Sequence, residues 1–186
     1  MSITGLTNLR NPFLRLYMHP KVTIRHIEEK DLSAVVSILN PFIEDTAVTF
    51  DTLPYSTETR LPWFNQFGHS GRHQCLVAEV DSKVVAYANS GPLRPKAAYD
   101  TSVEVSIYKA SNVNHKGLGS VLYEALFDRL EKEDVHRAHA LITLPNSASI
   151  GLHKKMGFYE VGILNEAGRK FDQYHDVLWM EMKLRK

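Results

Sequence analysis

Between Ser102 and Tyr123 a run of strand character, a glycine-bearing loop and an amphipathic helical pattern follow one another without a gap. That order confines the chain to folds in which a helix starts directly from the end of a strand. Ser102 to Tyr108 supplies the strand, the loop opens through Gly117-Leu118-Gly119, and Val121, Leu122, Ala125, Leu126 and Leu130 give the helix its apolar side. A helix start leaves backbone N–H groups unpaired, its dipole favours negative charge, and glycines let an anion approach the chain closely, so the junction suits a pyrophosphate. Gly117 and Gly119 taken alone also suit an ordinary loop before a helix.

Val22 to Ile27 alternates as a half-buried strand does, and Leu32, Val35, Val36 and Leu39 recur at helical spacing, with Asp31 as N-cap and Pro41 closing the helix. A second helical region spans Thr57 to Phe67. Cys75 to Val80 and Val84 to Asn89 read as a hairpin turning at Asp81-Ser82-Lys83, and Gly91-Pro92 ends its second strand. After a strand over Ala138 to Thr143, Pro145-Asn146-Ser147 opens a short helix that ends at Gly157, followed by strand-like runs over Phe158 to Leu164 and Val177 to Met182. The alternation predicts a mixed α/β sheet with helices on its faces. At 186 residues the chain suits one domain over 21–186, preceded by an arm, 1–20, that carries Arg10 and Arg15 and no acid.

Charge narrows the partners. Against 22 Lys+Arg stand 21 Asp+Glu, a net charge of +1, so no global field holds the protein on nucleic acid or an acidic membrane, and an anionic ligand must be met locally. Cys75 is the single cysteine and sits in an apolar run, which predicts a buried reduced thiol and a cytoplasmic setting. No apolar stretch approaches the ~20 residues needed to span a bilayer. His136 and His139 lack a third ligand at suitable spacing, so no catalytic metal is expected.

A second constellation runs from Leu144 to Phe158, Leu-Pro-Asn-Ser-Ala-Ser-Ile-Gly-Leu-His-Lys-Lys-Met-Gly-Phe. With it the sequence resembles the GNAT N-acetyltransferase superfamily at Asn114, Gly117, Gly119, Asn146, Ser149, His153, Gly157 and Phe158. Within that superfamily it is similar to the phosphinothricin and methionine sulfoximine/sulfone acetyltransferases. Thr49-Phe50, Ala98-Tyr99-Asp100, Val103-Glu104, Ser106-Ile107-Tyr108, Leu144-Pro145-Asn146 and Tyr174-His175-Asp176-Val177 carry that likeness. The resemblance covers residues 22 to about 183. It implies a GNAT-type mixed, mostly antiparallel sheet flanked by helices on both faces, with the cofactor at a splay between central strands. It further implies transfer of acetyl from acetyl-CoA to the α-amine of a small amino-acid-like substrate, and a homodimer. Asn114 departs from the usual Gln or Arg, and His153 stands where the wider superfamily has tyrosine.

The resemblance also assigns roles. An α-amine is largely an ammonium ion near pH 7 and only its neutral form attacks a thioester, so a base is needed. Glu104 matches that base; by alternation alone it is a strand carboxylate on the face shared with Ser106 and Tyr108, opposite the core. His153 or Tyr123 would protonate the departing thiolate. Ser106, Ile107 and Tyr108 would offer backbone groups to the acetyl carbonyl and pantetheine. Asn114, His115, Lys116, Gly117, Leu118, Gly119 and Ser120 would cradle the pyrophosphate, and Asn146 would bond the pantetheine arm or simply cap its helix. Arg94, Lys96 and Tyr99 would hold the acceptor's acidic groups, with Phe50 walling the same pocket. Two other functions fit the residues: acetylation of protein N-termini or another small amine, and a non-catalytic acyl-CoA-binding module.

Overall fold

The computed structural model describes residues 22–184; the arm expected over 1–20 lies outside them. In chain order the elements are β1 (Val22–His26), α1 (Leu32–Asp45), α2 (Thr57–Phe64), β2 (Cys75–Val80), β3 (Lys83–Pro92), β4 (Ser102–Lys109), α3 (Leu118–Leu130), β5 (Arg137–Thr143), α4 (Ser147–Lys155), β6 (Tyr159–Lys170) and β7 (Gln173–Lys183). The strands form one sheet of order β1-β2-β3-β4-β5-β7-β6. Every neighbouring pair is antiparallel except β4 with β5. The mixed, mostly antiparallel sheet expected from the sequence is therefore the fold.

Alternation along the strands sends apolar residues to both faces. Ala86, Ala88, Val103, Val105, Ala138, Ala140 and Ile142 join Leu118, Leu122, Leu126 and Leu130 of α3 in the larger core. Cys75, Val77 and Tyr87 join Ile27 and α1's Val35 and Ile38 in a second, with Trp63 and Phe64 of α2 and Tyr108 packed against it. Each fully buried leucine of α3 contributes about 1.5–3 kcal/mol, and truncating Leu126 to alanine would cost about 2–5 kcal/mol. The face of β4 that carries Glu104 is thus not opposite the core, as alternation suggested, because it has a core of its own where Tyr87 and Tyr108 pair across β3 and β4 with ring centroids 5.4 Å apart.

Several local expectations need correcting. Pro41 does not close α1, which runs four residues further with the proline inside it. An interior proline costs about 3 kcal/mol, and the last turn supplies an offset by burying Ile43 and setting Phe42 5.5 Å from the Tyr108 ring. Asp31 occupies the N-cap position but makes no cap bond. Its carboxylate instead accepts from Arg25 at 2.6 and 2.8 Å and from the Glu28 N–H. The last two strands are longer than their apolar runs and meet at Phe171-Asp172, both at positive φ. That two-residue turn lacks the Asn-Gly chemistry that marks such hairpins in a sequence.

Candidate active site

The parallel ladder between β4 and β5 joins Ser102 to Arg137, Val103 to Ala138 and Glu104 to His139, and stops there. Beyond it β4 stays paired with β3 as far as Lys109, and β5 with β7 as far as Thr143. The edges that β4 and β5 turn toward each other therefore keep their backbone groups free. A cavity of about 460 Å³ lies there, lined by Val105 to Lys109, Ala140 to Ile142, His115, Gly117 to Ser120 and Tyr123. Asn146, Ala148, Ser149, Leu152 and His153 close it from α4, and Phe42 and Val48 from the α1 side.

At one end of the cavity α3 begins. Gly117 is its N-cap at φ +82°, with no side-chain cap and no heavy atom within 4 Å of where a Cβ would stand; the Leu118 N–H donates to the His115 carbonyl at 3.4 Å, which leaves those of Gly119 and Ser120 for a ligand. Gly119 has a different reason to be glycine: a Cβ there would stand 3.1 Å from Leu152 Cδ2 and 3.6 Å from Ile107 Cδ1, so its bare backbone lets α3 pack against α4 and β4. His115 lines the same end with Nδ1 buried and unpartnered. An orphaned imidazole nitrogen beside free helix N–H groups fits a phosphate-bearing ligand. Asn114 and Lys116 are exposed and do not line the cavity. The cations at this end are two that spacing did not flag. Lys155, from the end of α4, donates to Ser120 Oγ at 2.9 Å, and Lys109 lines the wall.

Asn146 caps α4, its Oδ1 accepting from Ser149 N–H at 3.1 Å, while the residue also lines the cavity. The cap sets the start of the helix that delivers His153, which is buried. His153 Nδ1 lies 2.8 Å from the Ser149 carbonyl, which can only accept, so the proton sits on Nδ1. Nε2 is then the acceptor for the Tyr123 hydroxyl at 3.1 Å. Burial pushes the imidazole's pKa down, with the Ser149 bond opposing, and burial pushes the Tyr123 phenol well up. Both groups are neutral near pH 7.

Tyr123 and His153 reach the gap from the face of α3 and α4, and Glu104 stands on the other. Burial raises the Glu104 pKa, with the Arg94 guanidinium working against it. Arg94 lies over the Trp179 ring, 5.6 Å from its centroid. Arg94 and Tyr99 line a separate cavity of about 250 Å³ with Arg72, His73 and Asp100, whereas Lys96 is exposed and lines neither. Phe50 packs on the β6–β7 hairpin, so close over Gly168 that a Cβ there would come 2.2 Å from its ring. Lys170 holds this loop by donating to the Thr49 carbonyl at 2.9 Å. The four residues expected around the acceptor are thus not gathered in one pocket.

Cys75 is buried, and burial raises its pKa. Among the described residues no group of three or more His, Cys, Asp or Glu could hold a metal, and no helix is long and apolar enough to cross a membrane.

Known proteins resemble the chain over nearly its whole described length. The pattern described as an acetyltransferase (GNAT) domain matches residues 24–179. A phosphinothricin N-acetyltransferase of Streptomyces coelicolor is 43% identical over 166 residues, 88% of this chain and 97% of that protein. A ribosomal-protein-alanine N-acetyltransferase structure from Brucella melitensis superposes with a TM-score of 0.81 at 36% identity, covering 87% of this chain and 99% of that one. A GNAT phosphinothricin acetyltransferase from Sinorhizobium meliloti, in complex with acetyl-CoA, gives a TM-score of 0.81 at 27% identity over 88% of each chain.

Proposed function

Since the chain belongs to the GNAT acetyltransferase family and is an acetyl-CoA-dependent N-acetyltransferase, we propose that its acceptor is the α-amine of a small amino acid of the phosphinothricin, methionine sulfoximine or methionine sulfone type. The observation that carries this reading is the fork itself. A half-buried carboxylate stands at the last paired position of β4 and β5, and a buried Tyr–His pair lines the gap that opens beyond it.

Acetyl-CoA supplies an activated thioester. Its pyrophosphate fits the α3 N-terminus, where Gly117, His115 and Lys155 meet it, and its pantetheine fits the free edge of β4 over Ser106 to Tyr108 with Asn146 opposite. Glu104 takes the proton of the acceptor ammonium, and its raised proton affinity brings it closer to that of the amine, which eases the transfer. On the other side of the gap the Tyr123 hydroxyl, which donates to His153 Nε2 in the free enzyme, swings its one proton from that nitrogen to the departing sulfur as negative charge develops there. Burial makes the phenol a reluctant acid, so it acts chiefly by donating a hydrogen bond to the developing negative charge. Arg94, close enough to Glu104 to lower its proton affinity, meets the acceptor carboxylate from the loop after β3.

We read the β6 edge as the surface on which a second copy docks. Tyr159, Val161 and Ile163 are 51%, 54% and 52% exposed along it, on either side of a bulge at Val161, and a long apolar edge strand left open invites pairing.

A protein N-terminus is the second reading, favoured by the likeness to the Brucella protein. Steady-state CoA release with phosphinothricin, methionine sulfone, their decarboxylated amines and alanine-terminated peptides separates the two. A preference of about 10–10² for the acids over the amines, the ~1.5–3 kcal/mol of a hydrogen bond to a charged group, supports the amino-acid reading. Equal kcat/KM for acids and amines, or preference for the peptides, overturns it.

A further inference from the structure

The last rung of the β4–β5 ladder carries two titratable side chains, and the chemistry above uses only Glu104. Partners side by side in a parallel ladder project to the same face, so His139 stands one strand spacing, about 4.8 Å, from Glu104. Only 5% of the residue is exposed. Its ring is fixed from β7, where Trp179 Nε1 lies 3.0 Å from His139 Nδ1. An indole nitrogen only donates, so Nδ1 accepts and the neutral ring carries its proton on Nε2. Burial pushes the His139 pKa down, Glu181 opposes, and Arg137 and Arg94 reinforce, which keeps the ring neutral.

The Nε2–H is then the one proton the ring can offer, and it finds no acceptor among the described residues. Glu104 beside it likewise makes no hydrogen bond there. A donor and a carboxylate, neither hydrogen-bonded among the described residues, thus share one rung and one face with their backbones a strand spacing apart. The other charged groups around the pair are already engaged or distant from this proton. Glu181 is held by Arg137 at 3.0 Å and by Tyr159, both through Oε1, and its Oε2 lies 3.5 Å from His139 Nδ1, not from this proton; the Tyr108 phenol is near enough to Glu104 to feel its charge, and Arg94 lies over Trp179.

We propose that His139 is a positioning residue for Glu104: its Nε2–H donates to the carboxylate, keeps it ionised and turns it toward the gap where the acceptor amine arrives. Trp179 sets this up by fixing the tautomer. The inference rests on the reading of Glu104 as the base.

The pH dependence of kcat/KM for the acceptor tests it, in His139→Leu, His139→Gln and Trp179→Phe, each made with Glu104 intact and with Glu104→Gln. Losing a hydrogen bond to a carboxylate raises its pKa, so His139→Leu should move the acid limb up by roughly one pH unit. Activity on that limb falls about tenfold and little changes at pH 9. His139→Gln keeps a donor and restores most of the shift, and Trp179→Phe moves the limb in the same direction by less. None of the three lowers activity further once Glu104 is Gln. An acid limb unmoved in both His139→Leu and Trp179→Phe, or an equal loss in the Glu104→Gln enzyme, overturns the role of His139 alone. A Glu104→Gln enzyme as active as the parent overturns the base assignment and His139's role with it.

Discussion

Replacing Tyr123 with phenylalanine removes one oxygen and asks which of two coupled groups faces the departing sulfur. The ring stays, with its contacts to Phe127 and His153 at centroid distances of 5.1 and 5.3 Å. What is lost is the 3.1 Å bond to His153 Nε2. That nitrogen cannot find relief by switching tautomer, because Nδ1–H is committed to the Ser149 carbonyl at 2.8 Å. A buried acceptor left without a partner costs about 1–3 kcal/mol. For a domain of this size each kcal/mol moves Tm by about 2–4 °C, so Tyr123→Phe should melt roughly 2–12 °C below the parent. The kinetic loss should be larger in kind: on the order of 10² in kcat, the scale for removing a donor aimed at developing charge, with KM for acetyl-CoA nearly unchanged. His153→Phe keeps the hydroxyl and should lose less. The assay is CoA-thiol release at saturating acceptor, alongside thermal melts of both variants. Full kcat in Tyr123→Phe, or a greater loss in His153→Phe than in Tyr123→Phe, would refute this division of roles and make the imidazole the group that serves the sulfur.

Two further outcomes follow from geometry away from the reacting atoms. CoA at ~100 times its dissociation constant should stabilise the protein by roughly 2.7 kcal/mol; Lys155→Ala, which removes the cation at Ser120, should weaken CoA binding several-fold by calorimetry without lowering kcat, and unchanged affinity would remove Lys155 from the phosphate site. Ile163→Glu places a charge on the exposed β6 edge and should convert a dimer to a monomer in sedimentation at micromolar protein, whereas a parent protein that already sediments as a monomer contradicts the docking role given to that edge.

How much of this was legible in the sequence depends on range. The Ser102 to Tyr123 junction and the Asn146 to Phe158 helix are local patterns, and they lie where expected. Gly157 at φ +94° ends α4, with Phe158 N–H bonded to the His153 carbonyl. Alternation put Glu104 on the right face but misjudged that face, because nothing in β4 reveals that α1 and α2 fold over it. Pro41 misled for the same reason: the packing of Phe42 and Ile43 that offsets its cost involves residues far along the chain. Lys155 and Ser120 are 35 positions apart and Trp179 and His139 are 40 apart, so no spacing rule could join them. Phe50, Lys96, Asn114 and Lys116 show the converse. Residue type and resemblance suggested a pocket, and the structure sets Phe50 on the β6–β7 hairpin and leaves the other three exposed.

The account stands most directly on the base. In Glu104→Gln the side chain keeps its size and loses its proton affinity, so acetyl-CoA should bind as before. At pH 7 kcat/KM for the acceptor amino acid should fall by roughly 10²–10⁴, the usual contribution of a general base. The deficit should shrink as pH rises toward the pKa of the amine, which then deprotonates without help. The measurement is kcat/KM for the acceptor across pH 6 to 10 in both proteins. A Glu104→Gln enzyme that matches the parent at pH 7, or a deficit that does not change with pH, would contradict the claim that this carboxylate takes the ammonium proton.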